Sequence, residues 1–248
     1  MKDENEAGMN RTGMAMALRE GRVQEGNAWK NVPASPGDER ELERMRAAYE
    51  GESEPIGSVP SPASLKGLAK TALQMLEGHD PKAFIDRLGE RLAFERSGIR
   101  LYELLIGKHR AAQSPTGEAD LENLIRIRNQ ELAHFRLLWD SLEKLGADPT
   151  AETPAADHAG VKTMGLIQTL SDPRSTFYQG LDAILIAELA DNEGWRMLVE
   201  LAEGMGLKEM AAAFRQANAQ EGMHLEQIRK WWEGLVREEA GLAEAITA

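Results

Sequence analysis

Two short stretches hold the residues best suited to chemistry. Asn129-Gln130-Glu131-Leu132-Ala133-His134 returns ninety residues later as Ala219-Gln220-Glu221-Gly222-Met223-His224, so each stretch carries a Glu-x-x-His. On an α-helix three residues is close to one turn, so the carboxylate and the imidazole leave the same face and can grip one metal ion. Two such helices can hold two ions. Any one histidine has about a one-in-ten chance of a glutamate three residues before it at ordinary frequencies. A single copy would therefore carry little, and of the five histidines only His134 and His224 have one. Each copy is preceded by another glutamate deep in an apolar stretch: Glu95 in Leu92-Ala93-Phe94-Glu95-Arg96-Ser97, and Glu188 in Leu185-Ile186-Ala187-Glu188-Leu189-Ala190. The intervals are 36 residues from Glu95 to Glu131 and 33 from Glu188 to Glu221. An antiparallel pair of helices with a short loop brings residues so spaced to the same height.

The elements that must position these groups follow from periodicity and punctuation. Asp80-Pro81 is a helix start, a side-chain cap followed by a proline whose missing amide costs nothing there. Phe84, Leu88, Leu92, Phe94, Ile99, Leu101, Leu105 and Ile106 carry that helix to about residue 108. A turn over 113–117 leads to a second helix over about 118–145, stopped by Gly146 and Asp148-Pro149. Residues 146–171 are too many for a tight hairpin and predict a long crossover with a short helix near 161–170. Asp172-Pro173 predicts the start of a third long helix, ending near residue 203 before Gly204 and Gly206, and a fourth runs from about 207 to 239. No stretch suggests a sheet, so the expected class is all-α.

Upstream, residues 1–60 are rich in Gly, Pro, Ser, Glu and Asn and poor in apolar periodicity, the composition of a segment that does not order itself alone. Within it Asp38 is positioned to cap a short helix over 39–49, on which Leu42, Met45 and Tyr49 share a face. Residues 55–62 read as a linker. Leu65, Leu68, Ala69, Ala72, Leu73 and Leu76 form one apolar face of an accessory helix over 61–78 that needs a partner. The domain reading is thus a low-complexity segment over 1–60 and a helical domain over 61–248, with its four long helices in 81–238.

For Glu131, His134, Glu221 and His224 the plain alternative is an exposed charged face. Leu124, Ile127, Leu138 and Leu142 flank the first pair at helical spacing, and Phe214, Ala217, Ile228 and Trp231 flank the second, which argues against it. A polar pair inside an apolar stripe is costly unless partnered, and a cation is a natural partner. Glu95 and Glu188 also have apolar neighbours, and Glu193 is a reserve ligand should Glu188 fail. Asp191, Asn192 and Asn218 lie near the ligand faces and are candidates to orient imidazoles or carboxylates. Arg128, one turn before Glu131, is a candidate partner of a ligand carboxylate. Tyr102, two turns beyond Glu95, is a candidate hydrogen-bond or electron donor. Aromatics at that spacing more often serve as core. His79, His109 and His158 fall at helix ends or in loops and are expected in solvent.

The set Glu, Glu-x-x-His, Glu, Glu-x-x-His resembles the ferritin-like di-iron and di-manganese carboxylate superfamily, over residues 81–238. That resemblance implies a four-helix bundle with one long crossover. It also implies two iron or two manganese ions per chain, bridged by Glu131 and Glu221, with Glu95 and His134 terminal on one and Glu188 and His224 on the other. The duplicated motif looks more like bacterioferritin, rubrerythrin, manganese catalase or the small di-iron oxidases than like typical ferritin subunits.

Composition narrows the chemistry further. A formal charge of -12 and a pI near 5.0 argue against nucleic acid or an anionic membrane surface as partner. The absence of cysteine removes disulfides, zinc-thiolate sites, iron-sulfur clusters and a rubredoxin-type iron. The acidic start Met1-Lys2-Asp3-Glu4-Asn5-Glu6 shows no signal-peptide core. The most apolar run, 181–190, is broken by Asp182 and Glu188, so a cytoplasmic protein is the expectation. The favoured function is a di-metal oxidoreductase acting on oxygen or peroxide, protective against oxidative stress, with a separate electron donor and a homo-oligomer both compatible. Ferroxidase activity with iron storage is the second reading, and a metal-free scaffold the third.

Overall fold

The computed structural model describes residues 39–60, 80–112 and 118–242, and every regular element in them is an α-helix. The expectations for 1–38, the accessory helix over 61–78, His79 and the turn over 113–117 lie outside the described residues. The chain divides into two units, Met1–Glu54 and Pro55–Ala248. The first contributes α1, Glu39–Glu52, whose Leu42, Met45 and Tyr49 are all exposed.

Among the described residues the second unit holds five helices. In α2, Pro81–Ala111, Asp80 accepts from the amides of Lys82 and Ala83 while proline fills the first turn, as its sequence predicts. α3 spans Leu121–Leu145, three residues later than periodicity alone suggests, because Asp120 caps it on Glu122 and Asn123. Gly146 ends it at φ 78°, a left-handed conformation that spares glycine the Cβ clash. α6 spans Lys208–Glu239.

Two boundaries differ from expectation. The crossover helix α4 covers Pro154–Ser171, seven residues longer at its start than 161–170. Its first half buries Ala155, Ala159 and Thr163, small side chains that give no strong apolar signal yet let it approach α2 closely. A Cβ on Gly89 of α2 would stand 2.6 Å from the Thr153 hydroxyl. The third long helix, α5, spans Phe177–Gly204 and does not begin at Asp172-Pro173. Asp172 caps the end of α4, and Thr176 with Gln179 forms the reciprocal capping box that starts α5. Lys108 pins the intervening turn by donating to the Asp172 and Ser175 carbonyls at 2.8 and 2.6 Å.

Cross-links between helices set their directions. Glu95 faces His134 while Gly98 faces Glu131, so α2 and α3 run antiparallel. Trp195 reaches Glu95 and Tyr102 reaches Glu188, so α2 and α5 do as well. Gln130 meets His224 and His134 meets Gln220, which makes α3 and α6 antiparallel. Asn192 faces Glu221 and Trp195 faces Phe214, and the same holds for α5 and α6. α4 lies parallel on the flank of α2, as the pairs Asp86 with Ala155 and Ser97 with Thr163 show. Buried apolar residues form two clusters. One includes Leu101, Leu105, Ile127, Leu181, Ile184 and Ile228, and the other Leu88, Leu92, Leu138, Trp195, Leu198 and Phe214. In sequence, Glu95, Glu131 and Glu188 each lie between members of the two clusters, so a polar layer divides the core. No described helix is long and apolar enough to cross a membrane.

Candidate metal centre

That polar layer contains all six side chains singled out by spacing. Glu95, Glu131, His134, Glu188, Glu221 and His224 are each at most 3% exposed. They fall into two overlapping groups, Glu95-Glu131-His134-Glu221 and Glu131-Glu188-Glu221-His224, within each of which the ligand atoms all lie within 4.8 Å of one another. Glu131 and Glu221 belong to both. Glu221 turns one oxygen toward each imidazole, with Oε1 against His134 Nδ1 and Oε2 at 3.1 Å from His224 Nδ1. His224 Nδ1 is also 3.2 Å from Glu131 Oε1, and His134 Nδ1 is 3.9 Å from Glu95 Oε2.

The outward edges of the rings decide what the inward edges carry. His224 Nε2 lies 3.0 Å from Gln130 Oε1, and His134 Nε2 lies 2.8 Å from Gln220 Oε1. Arg126, which only donates, also bonds Gln130 Oε1 at 2.9 Å, so that atom is an acceptor and His224 must donate to it from Nε2–H. A neutral His224 then presents a bare Nδ1 lone pair to two carboxylates. Lone pairs facing lone pairs repel, a conflict that a shared proton or a bound cation relieves.

The terminal carboxylates are braced in a matching way. Trp195 of α5 donates from Nε1 to Glu95 Oε1 at 2.8 Å, and Tyr102 of α2 donates its hydroxyl to Glu188 Oε1. Both aromatic residues lie seven positions after a ligand glutamate, and each reaches across to the other helix's carboxylate. Glu95 Oε2, Glu188 Oε2 and Glu131 Oε1 remain buried without a hydrogen bond among the described residues. Leaving even one such group unpaired costs about 1–3 kcal/mol, so a cluster of them argues for a ligand the protein atoms do not supply. Gly98 makes room for this arrangement, because a Cβ there would come within 2.6 Å of Glu131 Oε2.

Electrostatics points the same way. Burial first, then repulsion from Asp191 and Glu221, holds Glu95 well above the ordinary carboxylate range. Burial and Glu221 do the same to Glu131 and to Glu188. Burial would raise Glu221 too, but when the imidazoles also carry a proton on Nδ1 their hydrogen bonds and charges outweigh it and hold it at about 2. Burial pushes Asp191 up to about 7, against the pull of Arg91, whose Nη1 is 3.2 Å from it. Perturbed acids gathered in one buried layer make that layer a functional-site candidate.

Other candidates fall outside this inner set. Asn192 donates to the backbone carbonyls of Glu188 and Glu221 at 2.9 and 3.0 Å, tying α5 to α6 at ligand height without touching a ligand side chain. Arg128 and Asn218 are half-buried and make no hydrogen bond or ion pair to the six among the described residues. Glu193 is exposed and pairs with Arg196. His158 is exposed as expected, but His109 is half-buried, its Nε2 3.0 Å from the Ala119 carbonyl and its ring edge-on to Phe177. Gln130, Gln220, Trp195 and Arg91 went unrecognised in the sequence, although both glutamines immediately precede a motif glutamate and Trp195 repeats the seven-residue interval of Tyr102.

Replacing Gln130 or Gln220 with leucine removes the acceptor that turns the opposite imidazole inward. Metal affinity, measured by competition with a chelator, is expected to fall about 10–100-fold in each variant. Unchanged affinity in both would show that the glutamines are spectators. In comparison with known proteins, no family model, curated protein or solved structure matches the chain.

Proposed function

We propose that the cluster holds two divalent first-row transition ions, iron or manganese, and that the protein is an oxidoreductase acting on oxygen or peroxide. The observation that carries the reading is the pair of four-residue ligand groups sharing Glu131 and Glu221, with carboxylate oxygens of Glu95, Glu131 and Glu188 buried and without a hydrogen-bond donor among the described residues. Carboxylates and imidazoles are moderately hard ligands that suit iron and manganese, and the chain has no thiolate to favour copper(I). The ferritin-like resemblance supports the same choice, and so do the antiparallel pairing of the four long helices and the flanking crossover helix. Bound as a pair, such ions supply two electrons by changing valence together.

The chain's own groups have separable tasks in this reading. Glu221 and Glu131 serve both ions, while Glu95 with His134 and Glu188 with His224 complete one side each. Gln130 and Gln220 keep the imidazole Nδ1 atoms turned inward. Tyr102, pushed well above the usual phenol range by burial and by Glu188, keeps its proton at neutral pH and holds Glu188 in place by donating a hydrogen bond to its Oε1. The two apolar clusters keep bulk water from the layer. With no cysteine for an iron-sulfur relay, the reductant is a separate donor or ferrous iron itself.

The test is reconstitution of chelator-treated protein with iron(II) or manganese(II), followed by metal analysis and optical spectra before and after peroxide. About two ions per chain with repeated peroxide or oxygen turnover supports the oxidoreductase. A closed oligomer retaining many irons per chain would replace it with a ferroxidase store. No metal uptake would leave a helical scaffold.

A further inference from the structure

The two imidazoles meet like partners that are not held alike. A chain of side-chain hydrogen bonds runs along α3 from its N-cap to His224, and its direction is fixed at every link. The Asp120 carboxylate accepts from Asn123 Nδ2 at 3.1 Å, which leaves Asn123 Oδ1 for Arg126. Arg126 only donates. Its Nε and Nη2 reach Asn123 Oδ1 at 3.3 and 3.1 Å, and its Nη1 reaches Gln130 Oε1 at 2.9 Å. A reversed Gln130 would set its amide donors against that guanidinium. Gln130 Oε1 therefore stays an acceptor, 3.0 Å from His224 Nε2, and keeps the ring proton on that nitrogen.

Gln220 has no such anchor. Its Oε1 lies 2.8 Å from His134 Nε2, and it makes no other hydrogen bond or ion pair among the described residues. Turned over, the Gln220 amide donates to Nε2, and the His134 proton moves to Nδ1, which faces Glu221 Oε1. A metal ion arriving at that Nδ1 must first send the proton back and turn the amide. His224 presents its lone pair beforehand.

We propose that Arg126 is a positioning residue that presets His224 through Gln130, so that the two ion positions fill in order. The position holding Glu188 and His224 fills before the one holding Glu95 and His134. The order of filling rests on the metal reading above, whereas the preset imidazole does not.

Arg126 is exposed, so Arg126→Ala leaves the core untouched. Two measurements on full-length, chelator-treated protein separate the claims. Two-bond proton–nitrogen NMR spectra of isotope-labelled histidine, assigned from single histidine variants, show which ring nitrogen carries the proton. Manganese(II) titration, with the free ion followed by its EPR signal, shows the steps of uptake. The wild type is expected to hold His224 in the Nε2–H form and to take up manganese in two steps about tenfold or more apart. Arg126→Ala should mix the Nδ1–H form into the His224 spectrum and weaken the first step about tenfold, with the second unchanged. Arg126→Lys, which still donates toward Gln130, should restore the first step. A general loosening of the helix would move both steps together and is not rescued by lysine. Identical histidine spectra in wild type and Arg126→Ala, two equal steps in the wild type, or an unchanged first step in the alanine variant would overturn the proposal. If no protein takes up manganese, the order of filling falls with the metal reading, and the histidine spectra still decide whether Arg126 presets His224.

Discussion

Glu221→Ala is expected to lose both metal ions, while His134→Ala and His224→Ala each keep about one of the two or fewer. The difference follows from position, because Glu221 belongs to both ligand groups and each imidazole to one. Its two oxygens are divided between the two Nδ1 atoms, whereas Glu131, the other shared carboxylate, pairs with His224 Nδ1 alone. Metal content after desalting, determined by elemental analysis of each reconstituted variant, reads this directly. Glu221→Gln, which keeps the shape and removes the charge, guards against loss through unfolding, and helicity measured beside it shows the fold intact. If Glu221→Ala retains as much metal as the histidine variants, the shared role is wrong. If all three retain the wild-type amount, the six residues do not form a metal site.

A second expected result is a reversal of sign. Without metal, Glu131 is a buried acid pushed above its ordinary range by burial and by Glu221, so the fold carries a group it would gain by losing. Replacing a buried acid that lacks a hydrogen-bond donor with an apolar side chain of similar volume removes a desolvation cost of about 1–3 kcal/mol. For a chain of this size that is about 2–4 °C in Tm per kcal/mol, so metal-free Glu131→Leu should melt several degrees above metal-free wild type. With metal the order should invert. An ion held at a hundred times its Kd stabilises the wild type by about 2.7 kcal/mol, and a variant lacking a ligand shared by both groups gains little. Thermal unfolding of both proteins, with chelator and with iron(II) or manganese(II), decides the matter. A variant less stable under both conditions would mean that Glu131 supports the fold by itself, and equal melting of wild type with and without metal would favour the scaffold.

Much of the layer was legible because helical geometry makes short-range spacing equivalent to direction. Glu and His three apart must share a face, and two glutamates 33 and 36 residues upstream must return to the same height if the hairpin is tight. Helix starts at Asp80-Pro81 and the stop at Gly146 were equally plain, since each rests on one or two residues and their own backbone. Asp172-Pro173 misled because the same cap-and-proline signature also suits a helix end, and only the competition with the Thr176–Gln179 box settled which helix owned it. The first half of α4 escaped notice because alanine, threonine and glycine bury little and leave no apolar stripe. Their value lies in close approach to α2, which appears only once α2 is beside them.

What the sequence determined by itself was the all-helical class and the identity of the six convergent side chains, both consequences of periodicity along a single helix or hairpin. What the tertiary structure decided were relations between helices far apart in sequence: Gln130 on His224 and Gln220 on His134, Trp195 on Glu95 and Tyr102 on Glu188, Arg91 between Asp191 and Glu95. Which acceptor an imidazole meets, and which carboxylate an indole holds, depend on the rotation and register of one helix against another. Those are set by the packing of the whole core, so no local pattern encodes them.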